Sequence, residues 1–291
     1  MLDVVIVSWN TRCLLDHCLT SLEKFAPSFP MTVTVVDNAS HDLSVEMVRQ
    51  RHPAVRVVEA GSNLGYAAAN NLGCGMTTGE FVLFLNPDTE VTEGALDTAV
   101  GKLRARPDCG ALSAKLVSPD GSVQRSVRGF PNWLGILGDV LGLGRRFPGS
   151  AFDSYRMSGF DYDAESVVPQ PMATFLLLKR SALARIGDPA KPFDEQFPIF
   201  FNDVDLLKRL HDAGLKCLYC PDVVVVHHGG ASTRQVRAAM IWESHRSLMR
   251  YFRKHTRNPL HRLLLPLLSA VVLAAAFVRA RGYRVGFRTD H

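Results

Sequence analysis

Val4-Val5-Ile6-Val7-Ser8-Trp9-Asn10 and, after an interval long enough for a helix, Thr32-Val33-Thr34-Val35-Val36-Asp37-Asn38-Ala39-Ser40 decide how this chain folds. Each is an apolar or β-branched run of strand length that breaks off into small polar residues. Between them Leu14, Leu15, Cys18, Leu19 and Leu22 recur at helical spacing. Strand, helix and strand in that order form a parallel pair joined by a crossover. The pattern continues outward with a helix over Val45–Arg51, a strand over Val55–Val58, a helix over Ala67–Met76, a strand over Phe81–Leu85 and a helix over Ala95–Arg104. Farther on, Thr174–Leu178 reads as a strand and Val204–Ala213 as a helix stopped by Gly214. Leu218–Val226 is another strand, interrupted early by Pro221. The expected fold class is α/β, a Rossmann-like, mostly parallel sheet flanked by helices. Ligands of such sheets bind beyond the carboxyl ends of the strands, so the polar residues after each strand are the candidates for chemistry.

Between about Gly110 and Pro171 the periodicity weakens. Ser118-Pro119-Asp120-Gly121 and Gly129-Phe130-Pro131 mark turns, and Trp133–Gly144 is apolar and glycine-rich. Long loops or short strands are expected there, either lining an acceptor groove or forming an irregular surface insertion.

Composition narrows the class. At 47% hydrophobic and 21% charged, the 291 residues suit a folded globular chain rather than a disordered one. The net charge of +5 is unevenly spread. Residues 234–291 carry twelve Lys and Arg against Glu243 and Asp290, a balance of +10 that leaves −5 on residues 1–233. A basic tail on an acidic body points to an anionic surface. The tail combines a basic helix over Arg234–Lys254 with an apolar run over Leu263–Val278, broken by Pro266 and flanked by Arg262 and Arg279. That favours a membrane over nucleic acid, for which aromatic and basic residues would interleave outside the tail. The run is shorter than the roughly 20 residues of a straight span, so a helix lying in one leaflet is preferred to a span or a core helix. The expected division is a catalytic domain over 1–233 and a membrane-associating helical tail over 234–291. Met1–Val7 lacks the basic start and length of a signal peptide, which implies the cytoplasmic side of the membrane. The six cysteines make no disulfide framework. Cys217 and Cys220 are spaced for zinc or redox chemistry but read better as part of a buried strand.

The strand ends supply Ser8 and Asn10, then Asp37-Asn38-Ala39-Ser40, then Asn63-Leu64-Gly65-Tyr66 with Asn70-Asn71, then Asn86-Pro87-Asp88-Thr89. Phe193-Asp194-Glu195, Phe201-Asn202-Asp203-Val204-Asp205 and His227-His228-Gly229-Gly230-Ala231-Ser232 follow. Taken in this order over most of residues 3–233, the set resembles the family-two inverting glycosyltransferases of the GT-A fold, and among them the rhamnosyltransferase-like enzymes of bacterial surface-polysaccharide assembly. Each motif alone is weak; their ordered combination is specific.

The resemblance implies a role for each position. A diphosphate leaving group concentrates negative charge that a divalent metal, Mg²⁺ or Mn²⁺, can neutralise. Asp88 supplies an oxygen ligand, with Asn86 beside it where the broader family has Asp. Taken alone, Asn-Pro-Asp reads equally as a turn or cap. Asp37 corresponds to the family's acceptor for a pyrimidine ring N–H. Ser8, Asn10, Asn63, Gly65 and Asn70 are expected around the nucleotide. Asp203 matches the base that takes a proton from the acceptor hydroxyl, although Asn202 stands where the family usually has Glu. Asp205 would support the site. One of His227 and His228 would enter it, since neighbours on a strand face opposite ways; His227 is favoured as second metal ligand. Arg234 is a weaker candidate for the phosphates, and Ala173, where Gly is usual, would tighten the acceptor pocket. The implied partners are a dTDP- or UDP-sugar donor, a polyprenyl-diphosphate-linked glycan acceptor and a membrane surface. A nucleotide-sugar-binding scaffold is the alternative that Asn202 encourages. A nucleotidyltransferase would need a Gly-rich basic loop where Ser8-Trp9-Asn10-Thr11 stands.

If the tail is the anchor, removing residues after about Asn258 releases the protein from membranes. Fractionation of the truncated chain tests this, and persistence in the membrane fraction places the anchor elsewhere.

Overall fold

The computed structural model of the protein describes residues 1–229 and 237–284. Its founding unit is the strand–helix–strand of the N-terminus: β1 (Leu2–Ser8), α1 (Arg12–Lys24) and β2 (Met31–Asp37). The strands pair in parallel from Leu2 with Met31 to Ser8 with Asp37. They therefore stop together, and Ser8 and Asp37 stand side by side at the carboxyl edge. α2 (Ser44–Arg51) leads to β3 (Arg56–Glu59) outside β2; α3 (Gly65–Cys74) leads to β4 (Phe81–Leu85) on the far side of β1. The order β3-β2-β1-β4 thus reverses direction at β1 and opens a crevice between the ends of β1 and β4.

Beyond β4 the sheet becomes mixed. β5 (Thr89–Val91) and α4 (Ala95–Ala105) precede β6 (Cys109–Val117). β7 (Val127–Arg128), α5 (Trp133–Val140), α6 (Leu143–Arg146), β8 (Ser166–Val168) and β9 (Gln170–Pro171) fill the weakly patterned stretch. β10 (Phe175–Lys179) lies antiparallel between β4 and β6, while β11 (Lys216–His227) runs parallel to β6 and antiparallel to β5 and β8. Half of the pairings are therefore antiparallel, which corrects the expected mostly parallel sheet to a mixed one. An apolar run buried on both faces does not record strand direction.

Alternation distributes the strands between two cores. Val4, Ile6, Leu83, Leu85 and Leu177 face a cluster covered by α1, α2 and α4. Val5, Val82, Phe84, Leu176 and Leu178 face a second, covered by α3, α7 (Arg180–Ala184) and α8 (Asn202–Asp212). Cys217 and Cys220 fall in different clusters on opposite faces, so they share neither a disulfide nor a metal. Burial pushes both thiols up, as an inert core cysteine requires. The nine-residue β6 is hidden in the sequence by its small residues. A Cβ on Gly110 would stand 2.9 Å from the Ala182 Cβ and 3.3 Å from that of Leu215, so close packing rather than apolar bulk shapes this strand.

The C-terminal segment forms α9 (Arg237–His255) and α10 (Pro259–Arg284). Met249, Tyr251 and Phe252 of α9 and Leu265 and Val272 of α10 share a cluster with Phe197 and Val204 of the body. Among the described residues no helix is long and apolar enough to cross a membrane. Removing α10 also uncovers Met249 and Phe252, so substitutions on its outer face test membrane binding more cleanly than truncation.

α9 is fastened to α8 by charge. The fully buried Asp205 accepts hydrogen bonds from Arg209 Nε at 2.8 Å, Lys254 Nζ at 2.7 Å and the His255 ring at 2.8 Å. Burial pushes this carboxyl up, but His255, Arg209 and Lys254 outweigh it and bring it to about 2. A carboxyl lowered on folding stabilises the fold fully above about pH 4 and loses that contribution as pH falls toward its folded value. Asp205→Asn is expected to cost about 3 kcal/mol near neutral pH, because it leaves cations without their counter-charge. Urea unfolding of both proteins should show the gap closing in acid. An unchanged midpoint would mean that apolar contacts alone hold α9.

Candidate active site

A cavity of about 490 Å³ opens at the switch between β1 and β4, within the size range of small-ligand sites. Val7 within β1 and Trp9 just after it line the cavity, with Asn86, Pro87 and Asp88 after β4 and Met172, Ala173 and Thr174 before β10. Asn63, Gly65 and Tyr66 close one side; Ile199 to Asp203, His227 and Met240 close the rest. Six of the ten residues singled out in the sequence as ligand, metal or base thus share one cavity: Asn63, Gly65, Asn86, Asp88, Asp203 and His227.

Asp88 and His227 meet because β11 pairs antiparallel with β5, setting His227 against Thr89. The His227 Nε2 lies 3.5 Å from Asp88 Oδ1, and both side chains are nearly buried. Gln124 fixes the ring from behind. Its Oε1 is 2.7 Å from His227 Nδ1, and its Nε2 donates to the His227 carbonyl at 2.8 Å. A carboxamide oxygen only accepts, so Nδ1 carries a proton, and the neutral ring turns its Nε2 lone pair toward Asp88. Two ligands about 2.1 Å from one ion and at right angles stand about 3 Å apart, so the pair fits a shared divalent cation. Among the described residues no group of three or more His, Cys, Asp or Glu is arranged to hold a metal ion. The donor set therefore suits an ion that takes its remaining oxygens from a diphosphate and water. His228 faces away and meets Glu90 at 2.7 Å.

Asp37 is buried, and one of its oxygens accepts from the Ser40 N–H at 2.9 Å. Its Oδ1 has no partner among the described residues. A buried carboxylate oxygen left unmatched is costly and suits an incoming N–H donor. Asn38 lines the cavity next to it and binds the Gly65 carbonyl.

Asp203 stands in the first turn of α8. Its Oδ1 accepts from the Val204 N–H at 2.8 Å and its Oδ2 from the Ala173 N–H at 3.3 Å. Burial nevertheless pushes the carboxyl above its ordinary value. Phe201 before it holds a left-handed backbone, φ +66°, a strained state for a bulky residue. Asn202 donates to the Ile199 carbonyl at 2.7 Å and so braces the loop that carries Phe201.

Four residues singled out in the sequence stand outside the cavity wall. The Ser8 hydroxyl is buried against Thr11. Asn10 accepts from the His41 N–H at 2.8 Å and shapes the turn after Asp37. Asp37 reaches the site only beside Asn38. Asn70 is spent on the Tyr66 carbonyl inside α3. Gly65 lines the cavity, but the close approach that it permits is to protein: a Cβ there would stand 2.8 Å from the Pro198 carbonyl. Arg234 and Gly230-Ala231-Ser232 lie outside the described residues. Sequence reading missed Gln124, since one Gln after a turn carries no motif. Asn71, quoted in the family set without a role, clamps Phe193 through both backbone groups.

Residues 3–167 match the profile of Glycosyl transferase family 2. The chain belongs to that family and is a glycosyltransferase. It is 32% identical over 260 residues to an N-acetylglucosaminyl-diphospho-decaprenol L-rhamnosyltransferase of Mycobacterium tuberculosis, a match covering 85% of this chain and 82% of that one. Over 183 residues it is 30% identical to the O-antigen biosynthesis protein RfbC of Myxococcus xanthus, covering 58% of this chain and 12% of that one. A mannosyltransferase of Pyrobaculum calidifontis, solved with GDP-Man and Mn²⁺, shares the fold at TM-score 0.59 and 22% identity, over 99% of this chain and 76% of that one. S. aureus TarS 1-349 does so at TM-score 0.55 and 16% identity, over 94% of this chain and 80% of that one.

Gln124→Ala frees the His227 ring and is expected to weaken Mn²⁺ binding in the presence of UDP by about 10- to 100-fold. Calorimetry reads this directly, and unchanged affinity would detach His227 orientation from metal binding.

Proposed function

We propose that the protein transfers a sugar, with inversion, from a dTDP- or UDP-sugar to a polyprenyl-diphosphate-linked glycan at the cytoplasmic face of the membrane. Rhamnose is the preferred sugar and an N-acetylglucosaminyl-diphospho lipid the preferred acceptor. The observation that carries this reading is the shared cavity: a carboxylate whose burial favours the protonated form, Asp203, and a carboxylate–imidazole pair, Asp88 and His227, open on one space. Likeness to the mycobacterial rhamnosyltransferase over most of both chains supports the choice of substrates.

In this reading Asp37 accepts the N–H of the pyrimidine with its free Oδ1, and Trp9 and Asn38 border the nucleoside. Asp88 and His227 would hold Mg²⁺ or Mn²⁺, which supplies positive charge to the diphosphate as it leaves. Asp203 accepts the proton of the acceptor hydroxyl while the hydroxyl oxygen bonds to C1 of the sugar and the C1–O bond to the diphosphate breaks. The nucleoside diphosphate departs from the opposite face, so the anomeric configuration inverts. A carboxyl raised by burial binds a proton more readily than an exposed one, which suits a general base. Residues 1–233 carry this chemistry, and residues 234–291 hold it near the lipid. α10 supports that role through Leu263, Leu264 and Leu267 on its outer face, exposed at 76%, 43% and 66%.

Asp203→Asn keeps the shape of the side chain and removes its proton affinity. It is expected to lower kcat by about a hundred- to ten-thousand-fold with donor affinity nearly unchanged. In the unaltered enzyme, activity should fall on the acid side at a pH above the ordinary Asp value of about 3.9, because the base must be ionised and its pKa is raised. Transfer assays with dTDP-rhamnose and a short-chain polyprenyl-diphosphate N-acetylglucosamine test both. Full activity of the variant would remove Asp203 as the base.

A further inference from the structure

The α5–α6 hairpin is built inside out for a helix pair on a water-facing surface. A soluble amphipathic helix turns its large apolar residues inward. α5 buries two glycines, Gly135 and Gly138, beside a single large apolar residue, Ile136. A Cβ on Gly135 would stand 2.9 Å from the Tyr155 Cβ, and one on Gly138 would stand 2.2 Å from the Phe152 carbonyl. A Cβ on Gly144 of α6 would stand 2.9 Å from the same carbonyl. These contacts with backbone set the hairpin flush on the 152–155 segment. Asn132 caps α5 by accepting from the Gly135 N–H at 2.8 Å. Leu134, Leu137, Val140, Leu141 and Phe147 face outward instead, all between 47% and 63% exposed. Leu134, Leu137 and Leu141 recur at helical spacing and form one row.

This row is continuous with the outer face of α10. Trp133, at the start of α5, packs its ring 5.7 Å from that of His261 and 5.5 Å from that of Phe252. Leu260, next to His261, is exposed, and the outer row of α10 runs on from it. The charge around the hairpin is basic. Arg145 and Arg146 are exposed at its tip without an ion pair among the described residues. The single acid of the hairpin, Asp139, is neutralised by Arg156. A second copy of this surface would repel it, and a water-facing role would leave five large apolar side chains hydrated.

We propose that the α5–α6 hairpin is a second membrane contact, inserting Leu137, Val140, Leu141 and Phe147 among the acyl chains of an anionic bilayer while Arg145 and Arg146 meet lipid phosphates. The proposal rests on the membrane-linked reading above but adds a site within the body of the enzyme. A contact beside α10 that belongs to the body itself broadens the membrane-facing surface and fixes the orientation of the body on the bilayer, which one helix cannot do.

The test is flotation of the full-length protein with vesicles containing about one-third phosphatidylglycerol in phosphatidylcholine. Leu137→Ser with Leu141→Ser is compared with Leu263→Ser with Leu267→Ser, and thermal melting confirms that each variant is folded. Each pair is expected to lower the partition coefficient by about 10-fold or more. Arg145→Gln with Arg146→Gln should lower it on anionic vesicles and not on pure phosphatidylcholine. If only the α10 variant loses binding, the hairpin proposal fails and the membrane reading stands. If the unaltered protein does not float at all, both fail. If the hairpin variant keeps its flotation but changes the oligomeric mass measured by light scattering, the row belongs to a second copy and the proposal is overturned.

Discussion

The parallel register of β1 with β2 and of β1 with β4 is the constraint from which the site follows. Ser8 stands opposite Asp37, and Ile6 stands opposite Leu85. The three strands therefore release their chains at one edge, and the reversal of order at β1 leaves a gap there that no side chain of the sheet can fill. Everything that lines the cavity on this side is what each chain does in its first residues after release. Asp37 turns onto Ser40, Asn86 donates its N–H to the Thr174 carbonyl, and Asp88 lies three residues beyond β4. The opposite wall comes from elements far along the chain: the pairing of β11 with β5 sets His227, and hydrogen bonds set the loop before α8. The Pro198 carbonyl accepts from the N–H groups of Tyr66 and Ala67, which is why position 65 tolerates no side chain.

Legibility in the sequence followed the strength of periodicity. The first 105 residues were readable, the three-residue β5 excepted, because β1 and β4 are buried along their whole length and each helix has one apolar stripe, so both periods are strong. Strand β6 escaped because Gly110, Ala111, Ser113 and Ala114 break up its apolar run. The reversed direction of β10 escaped because direction has no periodicity. Among the site residues, those at strand ends could be located from pattern and family order together. Their partners could not. Gln124 touches His227 across 103 positions of sequence, and nothing in its flanks marks it. Ser8, Asn10 and Asn70 show the converse: polar residues at the right ends whose side chains are occupied by backbone or by a neighbouring hydroxyl.

Two carboxylates two residues apart on α8 illustrate how surroundings divide roles. Asp203 faces the cavity and meets only backbone N–H groups, so burial prevails and its carboxyl is raised. Asp205 points the other way, is more deeply buried by exposure, and yet is lowered, because three cationic or donor side chains surround it. One can accept a proton during turnover; the other holds its charge as a structural counter-ion. The contrast also explains why Asn202 is compatible with activity in this chain. Its amide donates to the loop carbonyl of Ile199, which a Glu carboxylate could not do. The strain at Phe201 is thereby held in place without a third negative charge beside Asp203.

The same economy of charge would govern a metal held by Asp88 and His227. With Asn86 in place of a second acid, Asp88 brings one negative charge and His227 none. A divalent ion held by these two alone keeps most of its charge uncompensated, and a site with two protein donors is weak. A diphosphate supplies the missing oxygens and the missing charge together. Ion and donor should therefore bind with positive coupling, and the coupling must be equal in both directions. Gln124 would contribute to that coupling by fixing the ring before either partner arrives, so that the orienting cost is met in folding rather than in binding.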